Sequence, residues 1–301
     1  MLHILTQASL SEADFNEKID FVIEGFITKR MITMVYADGG NGKSWLAFAL
    51  AKYCAIRMTQ VFYLDFDNPL SVLKERNVHD LLIASHQNLH YVQRSKSPLP
   101  SYELLKTLSE NATAKQFENM FFVIDSLRDF ADVNNEAKIA AVMNMLKDIR
   151  EAGGTILILG HSNKDGRNYQ GGNAIRNSVD NMYRLKKREL GSNDSVGVIL
   201  EVKKERAAIV DKAFDINPNS LDLIEVDLIE AQATEQDIEF VSLIKNILLQ
   251  DSQLNKTDLL NKAGFAKDDK SARARLDKYD GIYWQSTKRH TRIIYQLIQS
   301  C

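Results

Sequence analysis

A glycine-rich stretch between two apolar segments constrains the fold of this chain more than any other feature. It reads ADGGNGKS from Ala37 to Ser44, after the apolar run MITMVY and before a run of helix-forming residues. The spacing follows the phosphate-binding pattern G-x-x-x-x-G-K-[ST], with alanine in place of the first glycine. Glycines allow the left-handed backbone angles with which a loop turns its N–H groups around a phosphate. The sequence therefore predicts a buried strand, a phosphate-binding loop and a helix, in that order.

The residue types in this loop suit a nucleoside triphosphate and its metal ion. The predicted helix begins at Lys43, so its positive N-terminal end would face the bound anion. We expect Lys43 to reach the β- and γ-phosphates of ATP and Ser44 to bind Mg²⁺. The other predicted nucleotide-binding positions are Gly39, Gly40, Asn41, Gly42 and Trp45.

Composition and charge narrow the remaining classes of protein. The chain has 301 residues, enough for two domains, and a net charge of −2, so a nucleic-acid site would have to be a local patch. The two cysteines, Cys54 and Cys301, suggest neither a disulfide framework nor a zinc site. No apolar run approaches the roughly 18 residues that span a bilayer, and the first residues lack the features of a signal peptide. We expect a cytoplasmic protein that does not associate with membranes.

Strand-like and helical segments alternate from about residue 32 to residue 202. Such alternation predicts an α/β fold with a doubly wound, mostly parallel sheet. The clearest strands are VFYLDFD (61–67), MFFVIDS (120–126) and TILILGHS (155–162). Two later runs, NMYRLKKREL and VGVILEVKKE, predict an antiparallel pair at one edge, joined by a turn near Gly191–Asn193.

Acidic side chains and a histidine end the predicted strands, where open α/β sheets bind their ligands. Asp125 closes FFVID, and we assign it as the Walker B carboxylate that holds Mg²⁺. Asp65 and Asp67 close YLDFD; because strand residues two apart share a face, either is a candidate general base, or a capping acid before Pro69. His161 is a candidate sensor of the γ-phosphate, with a purely structural histidine as the alternative.

The loop after this histidine, GHSNKDGRNYQGGN, is long and polar. Long loops without regular structure in compact domains are commonly functional. We therefore expect this loop to respond to the state of the bound nucleotide.

The composition changes at residues 230–237 (EAQATEQD), which predict a linker. It separates an N-terminal segment (1–20) and a first domain (21–229) from a second domain (238–301). Three predicted helices and a hairpin follow the linker, the order of a winged helix-turn-helix. Residues 267–292 contain eight Lys or Arg and four Asp or Glu, a local positive excess. The candidate nucleic-acid contacts are Lys270, Arg273, Lys288 and Arg289, although winged helices also bind proteins.

These motifs occur in the order and approximate spacing of RecA-like ATPases, and the chain most resembles the RepA-type hexameric helicases of plasmids and phages. The resemblance covers about residues 21–215 and leaves out the C-terminal domain. It implies a RecA-like core that assembles in a homo-oligomeric ring, a hexamer in those helicases. It also implies ATP bound between subunits and single-stranded DNA in the channel.

The resemblance also assigns individual residues. It makes Asp67 the general base, one methylene shorter than the usual glutamate of the family, and His161 the γ-phosphate sensor. Lys204 and Arg206 match a K-x-R pair that these helicases insert into the neighbouring subunit's ATP site, but ordinary exposed charges give the same short pattern. The loop from Ser162 to Asn173 matches the DNA-binding loop, which offers Lys164, Arg167 and Tyr169.

The sequence thus favours a DNA-dependent ATPase or helicase in the replication of a plasmid, phage or similar element. In that hypothesis the C-terminal domain contacts duplex DNA or a partner. The alternative is a RecA-type ATPase that does not unwind DNA and acts as a switch or recombination accessory, with a C-terminal domain that binds protein.

Overall fold

A computed structural model of the protein describes residues 3, 6, 9–16, 18–188, 194–289 and 292–298. The chain divides into two units, Met1–Val226 and Asp227–Cys301. Within the described part, no helix is both long and apolar enough to cross a membrane.

The first unit is built on a nine-stranded sheet, preceded by a small hairpin of β1 (Phe21–Ile23) and β2 (Ile27–Thr28). The sheet strands are β3 (Ile32–Ala37), β4 (Gln60–Asp65), β5 (Leu89–Gln93), β6 (Met120–Asp125), β7 (Thr155–His161), β8 (Asn181–Lys187), β9 (Val196–Lys204), β10 (Lys212–Ile216) and β11 (Leu223–Val226). Their order is β11-β10-β9-β8-β3-β7-β6-β4-β5. The six strands from β8 to β5 in this order are parallel, and β9 to β11 are antiparallel additions at one edge. The predicted α/β fold with a mostly parallel sheet is confirmed.

Helices cover both faces of this sheet. They are α1 (Lys43–Ala55), α2 (Leu70–Glu75), α3 (Ser101–Glu110), α4 (Glu136–Glu151) and α5 (Asn173–Ser178). Alternate side chains of β3 enter two separate apolar cores: Val35 packs with α1 on one face, and Met34 packs with α4 on the other. Burial on both faces explains why the central strands are continuous apolar runs.

The strand order brings four loops together. Strand β7 lies between β3 and β6, and β4 follows β6, so the carboxyl ends of these four parallel strands meet at one edge of the sheet. We call this edge the nucleotide edge.

The second unit has its own core. Its elements are α6 (Leu228–Ala231), α7 (Glu235–Gln250), β12 (Leu254–Asn255), α8 (Lys256–Lys262), α9 (Lys270–Lys278), β13 (Trp284–Arg289) and β14 (Arg292–Leu297), with an antiparallel sheet in the order β12-β14-β13. The buried indole of Trp284 donates a hydrogen bond to the carbonyl oxygen of Leu276, 3.0 Å away, which joins β13 to α9.

The predicted linker at 230–237 is largely helical in the structure. Helix α6 ends at Ala231, and α7 begins at Glu235 behind a capping box formed by Thr234 and Asp237. The polar composition of this segment reflects helix caps, which the sequence pattern alone does not distinguish from a loop.

Candidate nucleotide site

The glycine-rich loop connects β3 to α1 as the motif predicts. Gly40 and Gly42 have φ angles of 78° and 95°, in the left-handed region that favours glycine. A Cβ at Gly42 would also lie 3.1 Å from the Val196 side chain, a tight contact that adds to the preference for glycine set by the backbone angle. The loop residues Gly39 and Gly40 are exposed, and the positions from Asn41 to Trp45 are half-buried.

The amine of Lys43 lies over this loop. Its Nζ donates hydrogen bonds of 2.8 Å to the carbonyl oxygens of both Ala37 and Asp38. Burial lowers the pKa of Lys43 below its usual value, and the carboxylates of Asp125 and Asp67 oppose that shift. The lysine is therefore poised among negative groups at the nucleotide edge.

Two buried carboxylates lie side by side at the ends of β4 and β6. Asp65 and Asp125 are partners in register, and neither is more than 2% exposed. Burial and the neighbouring Asp65 raise the pKa of Asp125 to about 7, although the Tyr63 hydroxyl donates to it over 2.8 Å. Burial likewise raises the pKa of Asp65, which accepts a 2.6 Å hydrogen bond from Tyr91. A cation beside this pair would relieve the cost of ionising both acids.

The residues at this edge fit Mg²⁺ bound together with phosphate. Among the described residues, no three His, Cys, Asp or Glu side chains form a cluster that would hold a metal ion. Mg²⁺ is usually held by one or two protein oxygens, with phosphates and water as the other ligands. Ser44 and Asp125 supply such hard oxygen donors, so they would hold the ion only in company with a nucleotide.

Asp65 and Asp67 differ in their surroundings, contrary to the prediction that they share a strand face. Strand β4 ends at Asp65, and the backbone N–H groups of Asp67 and Asn68 then donate to the Asp65 carboxylate over 3.1 and 2.9 Å. This turn buries Asp65 and leaves the Asp67 side chain 30% exposed. Asp65 thus positions the turn that presents Asp67.

Asp67 lies between a histidine and an arginine. Its Oδ1 is 2.8 Å from a guanidinium nitrogen of Arg128, and its Oδ2 is 4.0 Å from Nε2 of His161. His161 ends β7 level with Ala37 on β3, and its buried Nε2 has no hydrogen-bond partner among the described residues. Burial, Lys43 and Arg128 lower the pKa of His161, which favours the neutral imidazole.

The loop after His161 is more ordered than its composition predicts. The N–H of Asn163 donates to Asn168, and that of Gln170 donates to His161, which makes a compact hairpin. The Ser162 hydroxyl donates to the Asp38 carboxylate in the phosphate-binding loop. The hairpin therefore touches the nucleotide loop directly.

The predicted nucleic-acid contacts in this hairpin have different environments. Lys164 and Arg167 are exposed. Tyr169 is half-buried, and its ring packs edge-on against Tyr36 with centroids 6.0 Å apart. Tyr169 therefore anchors the hairpin, and the two cations remain accessible.

Lys204 and Arg206 lie near the amino ends of the parallel strands, whereas Lys43 lies at their carboxyl ends, the nucleotide edge. Lys204 ends β9 level with Met182 near the start of β8, and its amine donates to the carbonyl oxygen of Val179 over 2.6 Å. Arg206 pairs with the buried Asp180 over 2.8 Å while its side chain remains 51% exposed. Within one chain, these cations do not join the cluster at the nucleotide edge.

The remaining predicted contacts belong to the second unit. Lys270 begins α9 and is exposed, and Lys288 is exposed on β13. Arg273 donates to the carbonyl oxygen of Lys267 over 2.9 Å. The side chain of Arg289 lies outside the described part of the structure.

The sequence reasoning did not identify Arg128, Asn68, Tyr63, Tyr91 or Asp38 as parts of this site. Asp38, Asn68 and Arg128 follow strand ends, as in YLDFDN and IDSLRDF, whereas Tyr63 and Tyr91 lie within β4 and β5. For the three residues that follow strands, proximity to a strand end was the available signal, because the turns that carry them leave no periodic pattern.

Comparisons with known proteins identify a family and similar folds. The model of the AAA domain family matches residues 3–167. A KaiC-like protein, PH0186 of Pyrococcus horikoshii OT3, has a similar structure, with a TM-score of 0.50, 16% identity and coverage of 70% of this chain and 100% of that one. The flagellar accessory protein FlaH of Methanocaldococcus jannaschii gives a TM-score of 0.47, 16% identity and coverage of 73% and 97%. None of the curated proteins matches the sequence significantly.

Proposed function

The chain belongs to the AAA domain family and has the RecA-like P-loop ATPase fold, and we propose that it is an oligomeric, DNA-dependent ATPase of the RepA helicase type. One observation carries the proposal. Four parallel strands end at one edge, and they bring together Lys43 and Ser44 of the phosphate-binding loop, Asp67, Asp125 and His161. Its biological setting would be the replication of a plasmid, phage or similar element.

Each of these side chains suits one task in ATP hydrolysis. Lys43 would neutralise the phosphates, and Ser44 and Asp125 would hold Mg²⁺, which would supply further positive charge to the transferred phosphoryl group. Asp67 accepts the proton of the attacking water through its Oδ2, the oxygen that faces His161. The neutral His161 responds to the γ-phosphate and lies one residue before the hairpin that carries Lys164 and Arg167.

Placement of the K-x-R pair supports an active site shared between subunits. Because Lys204 and Arg206 lie at the opposite edge of the sheet, they would act on the nucleotide of a neighbour. The guanidinium of Arg206 is half-exposed, and one of its nitrogens pairs with Asp180 of the same chain. A guanidinium supplied in trans is a common way to stabilise the transferred phosphoryl group.

The proposal for DNA rests on exposed cations in both units. Lys164 and Arg167 would contact single-stranded DNA from the hairpin, which is bonded to the phosphate-binding loop through Ser162 and Asp38. In the second unit, helix α7, strand β12, helices α8 and α9, and the β13–β14 hairpin follow the order of a winged helix-turn-helix. Its exposed lysines Lys270 and Lys288 would contact duplex DNA.

The decisive experiment measures phosphate release with and without single-stranded DNA, and strand displacement on a forked substrate. The proposal predicts that DNA stimulates hydrolysis and that the protein displaces the strand in an ATP-dependent manner. Light scattering with ATP and DNA should show a closed oligomer. A rate of ATP hydrolysis that DNA does not change, in a protein that stays monomeric, would overturn the proposal.

A second candidate function is an ATPase switch that does not unwind DNA and whose second unit binds a protein. The exposed apolar side chains Leu249 and Ile293, 72% and 52% exposed, favour this alternative because such groups commonly line protein interfaces. Removal of residues 227–301 discriminates between the two. It weakens duplex-DNA binding in the first case and leaves DNA affinity unchanged in the second.

A further inference from the structure

Arg128 is a cation at the nucleotide edge that the tasks above do not use. It belongs to a single helical turn, Leu127–Asp129, which starts two residues after Asp125. One of its guanidinium nitrogens is 2.8 Å from Oδ1 of Asp67, and the two side chains are 48% and 30% exposed. The pair joins the turn after β6 to the turn after β4.

The turn that carries Arg128 is held firmly. Leu127 is buried, and the Ser126 hydroxyl donates to the Asp129 carboxylate over 2.8 Å. The backbone N–H of Asp129 also donates to the carbonyl oxygen of Ser126 over 3.0 Å. Arg128 is the exposed residue of this turn, so its side chain is free to extend toward Asp67 while its backbone stays in place.

Stability alone gives little reason for this pair. Ion pairs between half-exposed side chains contribute little to folding, because water screens the charges and ordering two long side chains costs entropy. The two oxygens of Asp67 instead divide between two neighbours: Oδ1 faces Arg128, and Oδ2 faces His161 at 4.0 Å. Arg128 thus occupies one oxygen and leaves the other directed into the nucleotide site.

We propose that Arg128 is a positioning residue for hydrolysis, which holds the Asp67 carboxylate with Oδ2 toward the attacking water. The inference rests on the proposed ATP hydrolysis but not on DNA binding or unwinding. A general base misplaced by about 1 Å costs on the order of a hundredfold in rate. Because Arg128 acts through Asp67 and not through the nucleotide, its loss should lower kcat and leave the KM for ATP nearly unchanged.

The test compares Arg128→Ala with the wild-type chain. We expect kcat for ATP hydrolysis to fall roughly 10- to 100-fold, with the KM for ATP within about twofold. The unfolding temperature should stay within about 3 °C, since only a half-exposed ion pair is lost. Arg128→Lys, which keeps the charge but loses the planar fork, should recover part of the rate.

A matched control and a double variant make the result specific. Lys106 and Glu110 form another exposed pair, at 3.9 Å with the lysine side chain 45% exposed, so Lys106→Ala should leave kcat unchanged. If Arg128 acts through Asp67, the double variant Arg128→Ala/Asp67→Asn should be no slower than Asp67→Asn alone.

Three results would overturn the inference: an unchanged kcat in Arg128→Ala, a loss of ATP affinity alone, or rate losses that multiply in the double variant. Hydrolysis that is sensitive to Arg128 but indifferent to DNA would leave the inference standing and reject the DNA-dependent function. A wild-type chain that does not hydrolyse ATP at all would reject both.

Discussion

Asp65 and Asp67 have identical side chains, but one turn of the backbone places these side chains in different surroundings. Asp65 is fully buried and accepts hydrogen bonds from the backbone and from Tyr91, whereas Asp67 is accessible beside Arg128 and His161. The sequence pattern placed both residues at the end of a strand and predicted the same orientation for both. In the structure the strand ends at Asp65, so Asp67 lies in the turn that follows. The separation depends on a turn whose hydrogen bonds only the folded chain displays.

The first prediction follows from this difference. Asp67→Asn removes the proposed general base, which would act in the transition state, so kcat should fall at least about a hundredfold while ATP affinity changes little. Its unfolding temperature should match that of the wild type. Steady-state phosphate release and nucleotide titration measure the two effects separately.

Asp65→Asn is the comparison variant, and its signature should be loss of stability. It disturbs a buried carboxylate with several donors, which costs about 1–3 kcal/mol of unfolding free energy. If Asp65→Asn keeps its stability and loses catalysis while Asp67→Asn remains active, the assignment of the base to Asp67 is wrong.

At the scale of elements, the strands of the parallel sheet were the most predictable features. Their continuous apolar runs follow from burial on both faces, and α1 and α4 show helical spacing or helix-forming composition. The β1–β2 hairpin and β5 were not predicted, because they are short and lack the apolar continuity of central strands. The helix caps within the predicted linker were not predicted for a similar reason, since polar caps and polar loops share composition.

The start of α7 gives a prediction about stability and pH. Burial opposes ionisation of Asp237, but hydrogen bonds from the Thr234 backbone and from Lys278 outweigh it and lower its pKa to about 2. Since the folded-state pKa lies below the ordinary value of about 4, the ionised carboxylate stabilises the second unit above pH 4. That contribution is lost as the pH falls toward 2.

Asp237→Asn should therefore lower the unfolding free energy of the second unit by about 1–2 kcal/mol at pH 7. The difference from the parent protein should shrink between pH 4 and pH 2. Denaturant unfolding in a Trp45→Phe background isolates the fluorescence of Trp284, which reports on this unit. A difference that stays constant down to pH 2 would rule out the ionised carboxylate as its source.

At the scale of the whole molecule, the account requires that subunits share active sites. Arg206 lies at the sheet edge opposite Lys43, so each would serve a different nucleotide in an oligomer. Arg206→Ala should be nearly inactive yet still bind ATP. The fold should survive, because Asp180 keeps the Arg150 guanidinium at 2.9 Å and the Ile32 N–H at 2.8 Å.

Mixing Arg206→Ala with Lys43→Ala protein should restore measurable hydrolysis, because some interfaces then join an intact Lys43 to an intact Arg206. Phosphate release across a series of mixing ratios measures this recovery. Full activity of Arg206→Ala alone, or no recovery where subunits demonstrably exchange, would rule out sharing. The sequence suggested the K-x-R pair only through resemblance. The spacing of residues in one chain does not show whether a side chain contacts the ATP site of its own subunit or that of a neighbour.

ATP hydrolysis by the wild-type chain and by Lys43→Ala shows whether the GGNGKS loop is an active phosphate site. Phosphate release is measured with Mg²⁺, with and without single-stranded DNA, at matched protein concentration. Because the proposed role of Lys43 is to stabilise charge on the transferred phosphoryl group, we expect the wild type to hydrolyse ATP and Lys43→Ala to lose roughly several hundredfold in rate with its fold intact. A Lys43→Ala protein that hydrolyses ATP at the wild-type rate would contradict the account, because the GGNGKS loop would then not be the active phosphate site.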